Sequence, residues 1–111
     1  PLIHLWSQDD IMYPSTLKNI IDFCEKFKDN DIAFVCSRVQ YIDENGYNLF
    51  SDKPDNTPNL VSPELHAEIS VFWGCFPGNI ANVTIFRKTI DEFGLFNEEL
   101  KVSADFEYWY R

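Results

Sequence analysis

Two apolar runs, residues 2–6 (LIHLW), near-continuous, and 32–36 (IAFVC), continuous, flank a segment of helical period. That alternation constrains the fold more than any other feature of the chain. A run this nearly all apolar reads as a buried strand rather than a half-exposed one. Between the runs, Leu17, Ile20, Ile21, Cys24 and Phe27 share one side of a helix that opens at Pro14-Ser15. Lys18, Asp22, Glu25, Lys26 and Lys28 take the other side, and Asp29-Asn30-Asp31 ends it. Strand, helix, strand in that order is the pattern of an α/β fold.

The second strand is read over residues 32–42, its latter half alternating. Asp43-Glu44-Asn45-Gly46 is a hairpin turn, since Asn-Gly favours positive φ, and residues 47–50 return. Residues 51–62 (SDKPDNTPNLVS) are loop by composition. A short helix is expected at 63–69, an aromatic, turn-rich stretch at 71–79 and a strand at 83–86. A short helix follows at 88–93, capped by Gly94, and Ser103 opens a last helix. Both ends read as cut: the first strand has no turn before it, and the last helix has barely two turns. The expectation is one domain, or an internal piece of one, from a longer protein.

Composition excludes several classes. The 111 residues are 45% hydrophobic and 24% charged, which is globular rather than disordered. Ten Phe, five Tyr and three Trp supply bulky material for a core. The net charge of −9 is spread along the chain with no basic patch, so a phosphate backbone would be repelled and nucleic acid is not an expected partner. No run approaches the roughly 20 apolar residues of a membrane span. No secretory signal is legible, and the chain begins at Pro1 rather than Met. Cys24, Cys36 and Cys75 are odd in number, without ligand spacing, and read as buried thiols in a reducing compartment.

Three places could carry chemistry. Asp9-Asp10 follows the first strand, and ligands of open α/β sheets bind beyond the carboxyl ends of strands. Adjacent carboxylates repel one another unless a cation offsets them, and a hard divalent ion completed by phosphates would do so. The same pair also suits an acidic turn that caps the next helix. Asp105 sits in the first turn of the last helix, where it is either a general base or an acid favoured by the helix dipole. The stretch Val71-Phe72-Trp73-Gly74-Cys75-Phe76-Pro77-Gly78-Asn79 is either a sugar-stacking loop or core packing. His4 and His66 lack metal-ligand partners at fixed spacing and read as structural.

Taken in order, several segments resemble the second half of a family 2 glycosyltransferase with the GT-A fold. They are Ser-Gln-Asp-Asp-Ile, Ile-Asp-Glu-Asn-Gly, Gly-Asn-Ile-Ala-Asn-Val-Thr-Ile-Phe-Arg-Lys, Phe-Gly-Leu-Phe-Asn-Glu-Glu-Leu and Ala-Asp-Phe-Glu-Tyr-Trp-Tyr-Arg. The resemblance covers nearly the whole chain. It implies a partial GT-A, nucleotide-diphospho-sugar transferase-like fragment with three α/β/α layers, residues 1–111 being the second half of a catalytic domain. It implies that Asp9 and Asp10 bind Mn²⁺ or Mg²⁺ and the donor diphosphate, and that Asp105 is the catalytic base of an inverting reaction. Gly78 and Asn79 match the loop facing donor sugar and acceptor, Arg111 closes the acidic-aromatic-Arg segment, and Trp73 is a sugar-contacting candidate. Ser7 and Ala104 stand where the family often carries acids. The implied partners are a nucleotide-sugar donor and a carbohydrate or lipid-linked acceptor. The implied setting is polysaccharide biosynthesis in the bacterial cytoplasm, at the inner face of the membrane, with membrane association of the full-length protein. Two other readings stay open at this point: a non-catalytic carbohydrate-binding or interaction module, and a Mg²⁺-dependent nucleotidyl or phosphoryl transferase.

Overall fold

A computed structural model describes residues 1–50 and 56–111. The loop read over 51–62 therefore lies partly outside the described residues. The fold is mixed α/β, as the alternating pattern implies. The chain divides into two compact units, one of Pro1–Ser37 with Pro77–Arg111, the other of Arg38–Phe76.

The first unit is built on three short strands: β1 (Leu2–His4), β2 (Phe34–Cys36) and β3 (Val83–Phe86). They lie in the order β1-β3-β2, with β3 antiparallel to both neighbours. Leu2, Ile3 and His4 pair with Phe86, Ile85 and Thr84, while Phe34, Val35 and Cys36 pair with Ile85, Thr84 and Val83. The central strand is four residues long, and that length limits its neighbours. The strands expected over residues 2–6 and 32–42 are accordingly three residues each, because beyond Leu5 and Ser37 β3 offers no further partner. Residues 2–4 and 34–36 are half-buried, whereas Val83, Thr84 and Ile85 are fully enclosed. Side chains alternate across a strand, so burial of all three means both faces of the sheet are covered at β3.

Helices frame this centre. α1 (Thr16–Lys26) follows the expected period, yet only Ile20 is buried; Leu17 and Ile21 remain half exposed. Lys18 and Asp22 pair one turn apart on its outer side. α3 (Arg87–Phe93) ends at Gly94, whose φ of 82° is the positive value expected of a glycine cap. Thr89 on α3 donates its hydroxyl to the Ala33 carbonyl at 2.8 Å, tying the helix to the entry of β2. α4 (Ala104–Tyr110) buries Tyr108 and Trp109. Trp109 packs against Phe34 at 5.3 Å between centroids, and Phe96 stacks on Tyr108 at 4.4 Å. Phe34 pairs with Ile85, which places α4 on the Ile85 face of the sheet.

The second unit holds the expected hairpin turn. Asp43 Oδ1 accepts from the Asn45 and Tyr47 amides at 2.9 Å, and Gly46 takes φ 84°. Residues 47–50 do not form a strand; among the described residues one bridge, Ile42 to Asn48, closes the turn. The helix expected at 63–69 runs further, as α2 (Pro63–Trp73). Ser62 caps it by accepting from the Leu65 amide, Pro63 occupies the first turn, and Gly74 at φ 85° stops it. Val71, Phe72 and Trp73 are therefore helical, not loop, and all three are exposed. Among the described residues no helix is long and apolar enough to cross a membrane.

Candidate active site

One end of the sheet gathers most of the residues singled out above. β1 leaves the sheet there through Leu5, whose amide donates to the Val83 carbonyl at 3.2 Å. Residues 7–10 then turn back, with the Asp10 amide donating to the Ser7 carbonyl at 3.4 Å and the Asp9 amide to Ser7 Oγ at 3.5 Å. Ser7 thus shapes the turn. Asp9 and Asp10 are both exposed. No ion pair neutralises either carboxylate among the described residues.

β3 enters the sheet at the same end. Gly78 takes φ 70°, which favours glycine. Asn79 Oδ1 accepts from the Ala81 amide at 3.0 Å and starts a 3₁₀ turn over Ile80–Asn82. Asn82 closes that turn, and its amide nitrogen donates to the carbonyls of both Ser37 and Pro77 at 2.8 Å. Asp9, Asp10, Gly78 and Asn79 therefore flank one end of one sheet.

The remaining candidates are placed differently. Asp105 is half-buried in the first turn of α4, where its Oδ1 accepts from the Phe106 amide at 2.8 Å. Ser103 does not cap that helix with its side chain, contrary to the sequence expectation. It adopts the left-handed region at φ 62°, and only its carbonyl enters the helix, accepting from the Glu107 amide at 3.0 Å. A serine held there stores strain of the kind often found beside functional sites. Arg111 spends its guanidinium on Glu107 and on the Phe93 and Leu95 carbonyls, and it lies over the Tyr108 ring. Its hydrogen bond to Glu107 holds that carboxyl below the usual range. Trp73 belongs to the second unit and is 86% exposed.

Sequence reasoning missed Asn82 and the Ser103 conformation. Neither has a local signal: the Asn82 side chain meets carbonyls at Ser37 and Pro77, and a lone Ser says nothing of its backbone angles.

Among the described residues no three His, Cys, Asp or Glu side chains come together as a metal cage. Asp9 and Asp10 offer two solvent-facing carboxylates, a donor set that suits a hard cation completed by water and phosphate oxygens. Thiol chemistry fits poorly: burial pushes the Cys36 and Cys24 thiols up, away from the reactive thiolate.

Burial also holds His4 and His66 below their ordinary value of 6.5. His4 Nδ1 lies 2.8 Å from Thr84 Oγ1 at the heart of the sheet. A lowered histidine pKa means that the unfolded chain binds more protons near that pH than the fold does. The stability is complete above the unfolded pKa and is lost as pH falls from there through the lowered folded value. The melting temperature is expected to fall as pH drops below about 6.5, and less steeply in a His4→Gln, His66→Gln double variant. Equal slopes in the two proteins would overturn the assignment.

No family model and no solved structure matches the chain. Curated proteins do. A protein named as an uncharacterized glycosyltransferase from Rickettsia prowazekii is 27% identical over 111 residues, covering 95% of this chain. One of the same description from Rickettsia conorii is 31% identical over 105 residues, again 95% of this chain. The chain is similar to bacterial glycosyltransferases. The similarity and the motif resemblance agree at that level. The chain spans 32% of the length of the first relative and 17% of the second.

Proposed function

We propose that this chain is the second half of a family 2, GT-A catalytic domain. The intact protein transfers a sugar from a nucleotide-diphosphate donor to the hydroxyl of a carbohydrate or lipid-linked acceptor, with inversion. The observation that carries this reading is the shared end of the sheet. An unneutralised Asp9-Asp10 turn and the Gly78-Asn79 loop flank it, in a chain whose relatives bear the glycosyltransferase name.

In this reading Asp9 and Asp10 hold Mn²⁺ or Mg²⁺ together with the donor diphosphate. Such an ion, when bound, acts as a Lewis acid that offsets charge on the leaving diphosphate. The acceptor oxygen attacks the anomeric carbon, the bond from that carbon to the diphosphate oxygen breaks, and Asp105 takes the hydroxyl proton. Gly78 and Asn79 line the reacting sugar, Gly78 holding the turn at a φ of 70° that glycine favours. Trp73, on the second unit, presents an exposed indole of the kind on which a sugar ring stacks. Arg111 serves by bracing α4, since its donors are already engaged.

The test is a Mn²⁺ titration of the intact protein with and without uridine or guanosine diphosphate. Asp9→Ala and Asp10→Ala are each expected to weaken Mn²⁺-dependent nucleotide binding roughly tenfold or more, the factor that about 1.4 kcal/mol makes. Unchanged binding in both variants would remove the diphosphate site from this turn.

A further inference from the structure

We infer that Asn82 is a positioning residue that holds the loop of residues 77–79 against the end of the sheet. The inference rests on the proposed reading that this loop lines the reacting sugar. Asn82 is half-buried and bonds on three sides. Its amide nitrogen donates to the Ser37 and Pro77 carbonyls, both at 2.8 Å. Its main-chain N–H donates to the Asn79 carbonyl at 3.1 Å, and its own carbonyl accepts from the Ser37 amide at 2.8 Å.

Two carbonyl acceptors fix which way the side chain faces, since only the NH₂ end of an amide donates. Its Oδ1 is buried with no hydrogen-bond partner among the described residues. Such an atom is desolvated with nothing in return, so the fork to Ser37 and Pro77 is kept against a cost. An apolar residue at position 82 would avoid that cost but could not hold the two carbonyls.

The consequence is geometric. Pro77 is fixed by the Asn82 side chain, Asn79 is fixed by its own bond to Ala81 and by the Asn82 amide, and Gly78 lies between. The next residue along β3, Val83, accepts from Leu5, from which the chain runs on to the Asp9-Asp10 turn. Asn82 therefore sets one wall of the site relative to the strand that carries the other. Reacting groups need placement to within a fraction of an ångström, and a shift of about 1 Å can cost on the order of 10²-fold in rate.

Asn82→Asp keeps the shape and turns a carboxylate toward two carbonyl oxygens; Asn82→Ala removes the fork. Thr89→Val is the control, because it deletes a buried 2.8 Å bond to Ala33 at the opposite end of the same sheet. In the intact protein, hydrogen exchange is measured at Ser37, Ala81 and Asn82, and transfer is followed with UDP-sugar donors. Both Asn82 variants are expected to exchange roughly fivefold faster or more at those amides, as loss of about one hydrogen bond allows. Their kcat is expected to fall roughly tenfold with donor KM within about threefold, as for interactions felt at the reacting centre. Thr89→Val is expected to leave both readouts near wild type. Equal kcat losses in Thr89→Val and the Asn82 variants would mean general destabilisation and would overturn the proposal. So would wild-type exchange at those amides in Asn82→Asp, the isosteric variant. Absence of transfer by the wild-type protein would instead overturn the proposed function, and the exchange rates alone would then decide the role of Asn82.

Discussion

Replacing Asp105 by Asn in the intact protein is expected to lower sugar transfer by roughly 10²-fold or more, with melting temperature and donor binding nearly unchanged. The substitution keeps the shape and removes the charge. The competing role is helix stabilisation, which is worth about 0.3–1 kcal/mol at a helix N-terminus. The structure sharpens the contrast. Asp105 Oδ1 accepts from the amide of its own neighbour, Phe106, the one hydrogen bond it makes among the described residues, so an Asn oxygen can take over that contact. A structural role therefore predicts activity close to wild type, and a base role predicts its loss. Transfer by the Asn variant within about threefold of wild type, the scatter of ordinary neutral substitutions, would end the assignment of Asp105 as base.

The largest expected effect on stability is at Ile85. It is 1% exposed, lies on the central strand, and pairs with Ile3 on one side and Phe34 on the other. Ile85→Ala is expected to cost about 2–5 kcal/mol, the transfer term plus the cavity left where the sheet cannot collapse. That is a large share of the roughly 5–15 kcal/mol that holds a domain together. Leu17→Ala, on the half-exposed side of α1, is expected to stay within about 1 kcal/mol. Denaturant unfolding of the two variants in the intact protein checks the ranking. Comparable losses, or a smaller one at Ile85, would show that β3 is not the centre of the core.

These expectations draw on features of unequal legibility. β3, the Asn45-Gly46 turn and the Gly94 cap were readable because each depends on local chemistry: a β-branched apolar run, or a glycine where φ must be positive. Strand length was not readable, since it depends on β3, which pairs with β1 and β2 from a distant part of the chain. Residues 37–41 alternate like a strand, yet β3 ends before they can pair with it. The length of α2 was misread because Val71-Phe72-Trp73 next to two glycines and a proline looks like loop, while Gly74 alone supplies the stop. At the candidate site, the acids and the glycine were legible as residue types. Asn82 was not, because its role consists of two carbonyls brought to it from distant points of the chain.

That fork bears on how such a protein diversifies. Ser37 and Pro77, the carbonyls it joins, are the last and first residues of the two segments of the sheet unit. Everything from Arg38 to Phe76 is spliced between two points already pinned together by the sheet unit itself. The entropic cost of closing such an insertion grows only slowly with its length, about 0.6 kcal/mol for each doubling. The junction therefore behaves as a socket. Selection can lengthen, shorten or rewrite what is plugged into it while the sheet end beside Asp9 and Asp10 keeps its shape.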